Sequence, residues 1–312
     1  MNIVAGRAYF SGWIFSEFSL RARPNLCRHL DIGHRFPKVL TTLGGPVPVL
    51  LKSKQPPIEK LDFIIAGAQK AGTSALADFL EGHPKIKMPH KDELHRTVQP
   101  ARHFFDDEER FAKSEIDYAP LQRGCLRKGK SILLGSCTPI YIYWKSAMER
   151  IWNYNNKIKL LILLRNPAER AFSHWNMQRD RNLEDLDFMD AVQEEKNRAR
   201  EAMPFQLRKF SYVDRGFYAD QIQRVFRYFP REQVEVIKFE NFRREAPKTL
   251  DAVCGFLDIE PLQNLNNVET GSTPYARKMI RSERQYLVDL YKSDIDRLEK
   301  LLVWDCSDWK SV

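Results

Sequence analysis

The sequence has few cysteines, no long apolar run and no internal repeat. The five cysteines are scattered and form no Cys-x-x-Cys pair: Cys27, Cys125, Cys137, Cys254 and Cys306. This spacing argues against a disulfide framework or a structural zinc site, and it predicts reduced thiols in a cytoplasmic protein. Because no stretch approaches 18 uninterrupted apolar residues, we expect no membrane-spanning helix. We also expect no bound metal, since no cluster of ligating residues stands out.

Charge is unevenly distributed along the 312 residues. The formal net charge is +9, and residues 1–60 hold nine Lys/Arg against three Asp/Glu, a local charge of +6. Residues 61–312 therefore carry only +3. A domain that binds nucleic acid normally has a strongly basic face, so this near balance argues against a nucleic acid partner. A local basic cluster can still hold a small anion.

Residues 1–60 also differ in composition from the rest of the chain. They combine early aromatic residues with Gly44-Gly45-Pro46-Val47-Pro48 and Pro56-Pro57, which predicts a partly disordered N-terminal extension. An interfacial membrane anchor and a targeting peptide are the alternatives. A single folded domain is predicted over residues 61–312, a length that suits one α/β domain.

Strand and helix patterns alternate within that domain. Apolar runs of strand length occupy 62–66, 131–134, 158–164 and 234–238. Helical patterns occupy 73–82, 168–178, 217–229 and 283–302. This alternation predicts an α/β fold with a central parallel sheet and helices on both faces. Ligands of such sheets bind at the carboxyl ends of the strands.

The segment 67–74, Gly-Ala-Gln-Lys-Ala-Gly-Thr-Ser, follows the first predicted strand and opens a helix. Backbone N–H groups of such a loop converge on one point, where the helix dipole adds positive potential. Lys70 supplies a full charge there, and the Thr73 and Ser74 hydroxyls can cap the helix. The predicted anion-binding residues are Gly67, Gln69, Lys70, Ala71, Gly72, Thr73 and Ser74. The loop is not a Walker A sequence, which ends in Gly-Lys-Ser/Thr.

A second strand-end motif follows the apolar run 158–164. Asn166 can cap the next helix, and Pro167 fits its first position, where no N–H is required. Arg165 is thereby placed at the carboxyl end of a strand, and Ser173 about two turns into the helix. Either residue alone could be an ordinary surface or helical residue.

The two motifs resemble those of sulfotransferases that use 3′-phosphoadenosine 5′-phosphosulfate (PAPS). Gly-x-x-Lys-x-Gly-Thr-Ser is similar to their 5′-phosphosulfate loop, and Arg-x-Pro-x-x-Arg-x-x-Ser to their 3′-phosphate site. The resemblance implies a P-loop-like sheet, PAPS as the donor without a metal, and a sulfotransferase domain over 61–312. It also implies that Lys70 stabilises charge on the leaving group, while Arg165 and Ser173 bind the 3′-phosphate.

Residues 88–95, Met-Pro-His-Lys-Asp-Glu-Leu-His, resemble the Pro-x-Lys-x-Glu-x-His region of the glycan-type branch of this family. The resemblance implies that Glu93 is the catalytic base, that Lys91 contacts the sulfuryl donor and that His95 belongs to the site. The family pattern runs Glu-x-His-Phe-Phe-Asp without a break, whereas residues 96–102 intervene here. Both His95 and His103 therefore remain open for one family position.

Three further resemblances complete the predicted site. Residues 135–141 look like the substrate segment of these enzymes, which implies acceptor contacts; a plain turn is the alternative. Tyr218 occupies the family's position beside the donor nucleotide, although an aromatic residue at helical spacing is usually core. Arg277 lies where a basic loop of the family closes over the 3′-phosphate. The predicted acceptor residues are Thr138, Pro139 and Tyr141.

The hypothesis is a PAPS-dependent sulfotransferase that resembles the heparan-sulfate and bacterial glycan-type branch. Its acceptor is expected to be a hydroxyl or amine of a saccharide or small metabolite, and the Lys-x-Glu segment favours a carbohydrate. The alternatives are a P-loop nucleoside or metabolite kinase and a catalytically degenerate protein that binds PAPS or a glycan. No pattern in the sequence indicates the oligomeric state.

Overall fold

The computed structural model describes residues 60–88, 103–122, 132–262, 275 and 277–312. The described residues fall within one unit, Gln55–Val312. The expected extension over 1–60 lies almost entirely outside the described residues, so its partial disorder and the boundary near residue 61 stay predictions. No helix in the described part of the chain is both long and apolar enough to cross a membrane.

Five parallel strands form the sheet in the described part of the chain. In chain order they are β1 (Phe63–Gly67), β2 (Ile86–Lys87), β3 (Leu133–Cys137), β4 (Lys159–Leu164) and β5 (Val234–Lys238). Their spatial order is β2-β3-β1-β4-β5, and every neighbouring pair runs parallel. The prediction of an α/β fold with a central parallel sheet is confirmed. The two-residue strand β2 is too short to leave a pattern in the sequence.

Helices follow most of the strands. They are α1 (Thr73–Glu81), α2 (Glu108–Phe111), α3 (Ala147–Tyr154), α4 (Pro167–Asp180), α5 (Phe188–Glu201), α6 (Tyr218–Tyr228), α7 (Phe239–Arg244), α8 (Ala246–Phe256) and α9 (Arg281–Leu302). The four predicted helices correspond to α1, α4, α6 and α9, with ends shifted by up to two residues. Short 3₁₀ turns occupy Ala119–Gln122, Asp214–Gly216, Arg231–Gln233 and Ser307–Trp309.

The two central strands, β1 and β4, are buried along nearly their whole length. All five residues of β1 are buried, as are the last five of β4. Successive side chains of a strand point to opposite faces, so both faces of the sheet are covered. Phe63 lies in register with Gly135 of β3 and with Lys159 of β4. The carboxyl ends of these three strands are therefore adjacent, and the loops after residues 67, 137 and 164 meet at one edge.

Gly72 makes the turn from the loop after β1 into α1. Its φ is +87°, in the left-handed region, and an added Cβ would lie 2.8 Å from the Phe239 ring. Gly72 is also the N-cap of α1, and no side chain caps this helix. The expectation that the Thr73 and Ser74 hydroxyls cap α1 is therefore wrong: both residues lie within the helix, past the capping position. Leu76 N donates to the Gly72 carbonyl at 3.1 Å instead.

Substitution Gly72→Ala should lower the free energy of unfolding by about 1–3 kcal/mol, because the new methyl group meets both an unfavourable φ and the Phe239 ring. Urea denaturation measures the change. The matched control is Gly255→Ala in α8, where an added Cβ meets nothing within 4 Å. That control should be neutral or stabilise by up to about 1 kcal/mol. Equal effects of the two substitutions would contradict this account of the turn.

Candidate active site

The loop after β1 is anchored to the neighbouring strand and curls tightly. Ala68 N donates to the Leu163 carbonyl of β4 at 2.7 Å, and Ala71 N donates to the Ala68 carbonyl at 3.1 Å. Lys70 has a φ of +71°, so the chain reverses direction at this residue. Lys70 is only partly exposed, whereas Thr73 is buried. The predicted glycine loop is thus a defined turn between β1 and α1, as the sequence indicates.

Arg165 joins the second motif to this loop. It follows β4 directly, and its Nη1 donates to the Lys70 carbonyl at 3.4 Å. Its Nη2 lies 3.6 Å from Glu169 Oε2, and its guanidinium lies 5.1 Å from the centroid of the Phe239 ring. Two motifs separated by 95 residues in sequence are therefore in direct contact at the carboxyl edge of the sheet.

The start of α4 is as the sequence predicts. Asn166 Oδ1 accepts from Ala168 N at 3.0 Å and from Glu169 N at 3.3 Å, and Pro167 occupies the first turn. A helix N-terminus adds positive potential beside Arg165. Ser173 lies two turns further along α4 and is buried, with 4% of its surface exposed.

Arg215 is a residue of this region that sequence reasoning missed. It is buried, and its guanidinium donates to Ser211 Oγ at 2.7 Å, to the Arg208 carbonyl and to Gln69 Oε1 of the glycine loop. These three acceptors are uncharged. Gln69 and Arg215 are 146 residues apart in sequence, so no local pattern predicts their contact. The position of Arg215 next to Gly216 at a helix start is the one sequence signal for a functional role.

Cations dominate the electrostatics around the loop. Burial, followed by the charge of Arg165, lowers the pKa of Lys70. Burial likewise lowers the pKa of Arg215 to about 10. Arg170 is fully buried and donates from Nη2 to the Tyr212 carbonyl. Lys70 and Arg215 are partly or fully removed from water and lie near other positive charges, which the protein compensates poorly. This arrangement favours the binding of a polyanion.

His174 adds no charge to this cluster. Burial, with Arg215 and Arg170 nearby, holds its pKa well below the usual value, so the imidazole is neutral at pH 7. In the described segments, no three His, Cys, Asp or Glu side chains are placed to hold a metal ion.

His103 is held by a buried carboxylate. His103 Nδ1 lies 2.8 Å from Asp106 Oδ2, and Arg208 donates to the same oxygen and, at 2.5 Å, to the Asp106 carbonyl. Burial opposes ionisation of Asp106, but the His103 hydrogen bond and the charge of Arg208 prevail and lower its pKa. Lys91, Glu93, His95 and the intervening residues 96–102 lie outside the described residues.

The predicted acceptor segment follows β3 and packs closely. Thr138 N donates to the Ile65 carbonyl at 3.1 Å, which ties the segment to β1. Pro139 comes next, in the turn after β3. Tyr141 is 1% exposed, and its hydroxyl accepts from Phe104 N at 3.1 Å and from Phe105 N at 3.4 Å. The Tyr141 side chain thus supports the segment that carries His103.

Tyr218 and Arg277 are also bonded to protein groups. Tyr218 is fully buried, and its hydroxyl donates to the Arg165 carbonyl at 2.9 Å. Arg277 donates to both carboxylate oxygens of Glu283, at 2.8 and 2.6 Å. Its guanidinium lies 5.2 Å from each ring centroid of Phe172 and Trp175, which are one residue before and two residues after Ser173. Tyr218 therefore positions Arg165, and Arg277 lies near Ser173.

Substitution Lys70→Met should leave the free energy of unfolding at pH 7 unchanged or raised, while turnover falls on the order of a hundredfold. The folded-state pKa of Lys70 lies below that of the unfolded chain, so its protonated form opposes folding, and stability rises with pH toward 10.5. Urea denaturation from pH 7 to 10 tests the sign. The exposed Lys87→Met is the control. A greater loss of stability in Lys70→Met than in the control would contradict this electrostatic account.

Comparison with known proteins shows a family to which the chain is related. The family model described as "Sulfotransferase domain" matches residues 60–273. The mouse (Mus musculus) heparan sulfate glucosamine 3-O-sulfotransferase 5 is 25% identical over 227 residues, which are 67% of this chain and 57% of that protein. The mouse bifunctional heparan sulfate N-deacetylase/N-sulfotransferase 3 is 25% identical over 230 residues, 70% of this chain and 24% of that protein.

A solved structure covers more of the chain. The crystal structure of a sulfotransferase from Alicyclobacillus acidocaldarius superposes with a TM-score of 0.66 at 28% identity, and the match covers 81% of this chain and all of that one. By contrast, the chain spans little more than half the length of the 3-O-sulfotransferase and about a quarter of the bifunctional enzyme.

Proposed function

This chain belongs to the sulfotransferase domain family, and from that premise we propose that it transfers a sulfuryl group from PAPS to a hydroxyl or amine of a saccharide. The observation that carries the proposal is the contact between Arg165 and the Lys70 carbonyl. It brings the proposed 5′-phosphosulfate loop and the proposed 3′-phosphate site together at one sheet edge. A donor with phosphate at both ends needs two such sites side by side.

The residues of the described site fit PAPS. The loop after β1 carries the partly desolvated Lys70, and the charge of Arg165 helps to lower its pKa, so a polyanionic donor would offset two positive charges there. When bound, PAPS supplies a sulfuryl group: a bond forms between the acceptor oxygen or nitrogen and sulfur, the bond from sulfur to the 5′-phosphate oxygen breaks, and adenosine 3′,5′-bisphosphate and one proton are released.

Each group of this chain has a proposed task in that transfer. Lys70 and the backbone N–H groups of the loop other than those of Ala68 and Ala71 neutralise the charge that develops on the leaving phosphate. Arg165 and Ser173 bind the 3′-phosphate, which separates PAPS from other adenine nucleotides. Arg277 is proposed to add charge at the same end, and Tyr218 to hold Arg165. Glu93 is the proposed base that accepts the acceptor proton, with Lys91 and His95 beside it.

The acceptor is proposed from the names of the relatives and from the predicted segment Thr138–Tyr141. The two curated relatives are named for heparan sulfate, a glycan, which supports a saccharide in preference to another small metabolite. The loop sequence lacks the Gly-Lys-Ser/Thr ending of a Walker A motif. It therefore gives no support to a P-loop kinase activity. The cytoplasmic location expected from the scattered cysteines stays a prediction.

Calorimetry without metal tests the donor site directly. Adenosine 3′,5′-bisphosphate should bind at least about tenfold more tightly than ATP or 5′-AMP, because only the bisphosphate presents groups to both motifs. Preference for ATP would indicate the kinase alternative. Binding of the bisphosphate without transfer to any acceptor would indicate the degenerate binding protein.

Substitution Ser173→Ala should weaken bisphosphate binding by about tenfold and change the turnover number little, since one hydrogen bond to a charged group is lost. Steady-state kinetics with varied PAPS measures this as a raised KM for the donor. Substitution Glu93→Gln should have the opposite pattern, with low turnover and normal donor binding. A fall in turnover at unchanged donor KM in Ser173→Ala would remove this residue from the donor site.

A further inference from the structure

Glu195 is a buried carboxylic acid to which the proposed mechanism gives no task. It lies on α5, with 5% of its surface exposed. Its Oε2 accepts from Val213 N at 2.7 Å, and its Oε1 accepts from Asp214 N at 2.9 Å. These two N–H groups begin the 3₁₀ turn Asp214–Gly216, and N–H groups at a helix start have no acceptor within the helix. The Glu195 carboxylate therefore caps this turn.

The capped turn carries Arg215, which contacts the glycine loop. Arg215 is the middle residue of the turn, and its guanidinium donates to Gln69 Oε1, next to Lys70. The same guanidinium donates to Ser211 Oγ at 2.7 Å. A continuous series of hydrogen bonds and backbone thus runs from Glu195 through the turn and Arg215 to the loop. A change at Glu195 can therefore reach the donor site without any direct contact.

The cap requires an ionised carboxylate. Burial raises the pKa of Glu195 to about 7, although the N–H groups of Asp214 and Val213 favour the ionised form. Once protonated, one carboxyl oxygen carries a hydrogen and presents it to a backbone N–H group, so one of the two hydrogen bonds is lost. Since the ionised form opposes folding, the carboxylate is not explained by stability. A buried group of this kind is typical of a functional site.

Ionisable groups from several elements surround Glu195. They are Arg170 on α4, Tyr212, Asp214 and Arg215 in and before the turn, and Tyr291 on α9. The Tyr291 hydroxyl donates to the Val213 carbonyl at 2.8 Å, and Arg170 Nη2 donates to the Tyr212 carbonyl. These two side chains bind carbonyl groups of the segment, whereas Glu195 binds its N–H groups. Tyr291 and Arg170 therefore cannot replace the cap.

We propose that Glu195 is a positioning residue of the donor site, whose ionised carboxylate holds the turn that keeps Arg215 against Gln69 and thereby strengthens donor binding above neutral pH. This inference rests on the proposed sulfotransferase function and adds a pH-dependent element to its donor site. The direct effect of the charge has the opposite sign, because a negative charge near Arg170 and Arg215 weakens the attraction of an anion. The sign of the change in affinity therefore separates positioning from charge.

The test is calorimetry of adenosine 3′,5′-bisphosphate with the full chain and with Glu195→Gln, at pH 8 and at pH 6. Glutamine has the same shape and, like the protonated acid, offers only one acceptor to the two N–H groups. If the ionised form binds about tenfold more tightly, the Kd of the variant should be about ninefold higher than that of the unmodified chain at pH 8 and only about twofold higher at pH 6. Taking the ratio cancels the titration of the ligand phosphates, whose pKa is about 6.

Three controls accompany this measurement. Glu194→Gln changes the neighbouring acid of α5, which accepts from Asn197 on the same helix, and should leave the Kd unchanged at both pH values. In an Arg215→Met background, Glu195→Gln should change the Kd by less than about twofold, because the link to the loop is already absent. Urea denaturation without ligand should show the stability of the unmodified chain falling relative to Glu195→Gln as pH rises from 5 to 8, since the folded chain retains the proton to a higher pH than the unfolded chain.

The outcomes separate the two proposals. No binding of the bisphosphate by the unmodified chain would overturn the sulfotransferase proposal itself. If the bisphosphate binds, the same Kd ratio at both pH values would assign Glu195 a structural role only, and tighter binding by Glu195→Gln at pH 8 would show that its charge alone acts. Either result would overturn the positioning role. A stability difference that is constant from pH 5 to 8 would overturn the pH dependence.

Discussion

The site depends on the parallel pairing of β1 with β3 on one side and β4 on the other. Ile65 lies in register with Cys137, and Gly67 with Ile162, so each of these strands ends within two residues of its neighbour. Both faces of β1 and β4 are buried, so a shift of one residue would place every side chain in the packing environment of the opposite face. The glycine loop, the Thr138 turn and Arg165 are neighbours for this reason.

The features that the sequence predicted are those encoded locally. The apolar runs of β1 and β4, the cap at Asn166 and the glycine turn each leave a pattern within a few residues, and the strand ends then place their motifs together. The contact of Arg215 with Gln69 leaves no such pattern, because it depends on one polar pair far apart in sequence. Helix α5 was missed because its apolar positions are few among many charged residues.

The buried arginines are held largely by uncharged acceptors. Arg170 donates to the Tyr212 carbonyl, and Arg215 donates to the Arg208 carbonyl and to Gln69. A carbonyl oxygen accepts hydrogen bonds from a guanidinium but carries no formal negative charge. Most of the positive charge of the arginine is therefore left to attract a bound anion. Carboxylates instead bind arginines that are more exposed: Glu169 lies near Arg165, Asp106 binds Arg208, and Glu108 binds Arg150. The charges of the two buried arginines therefore stay available at the donor site.

Anchoring by carbonyl groups has a consequence for ionic strength. Dissolved ions weaken the attraction between separated charges, and the Debye length is about 8 Å in physiological salt. Short hydrogen bonds to carbonyl oxygens inside the protein are affected much less. Arg170 and Arg215 should therefore keep their positions at high salt, while the long-range pull of the site on an incoming anion fades. High salt should therefore weaken the capture of an anionic ligand without changing the arrangement of the residues in the site.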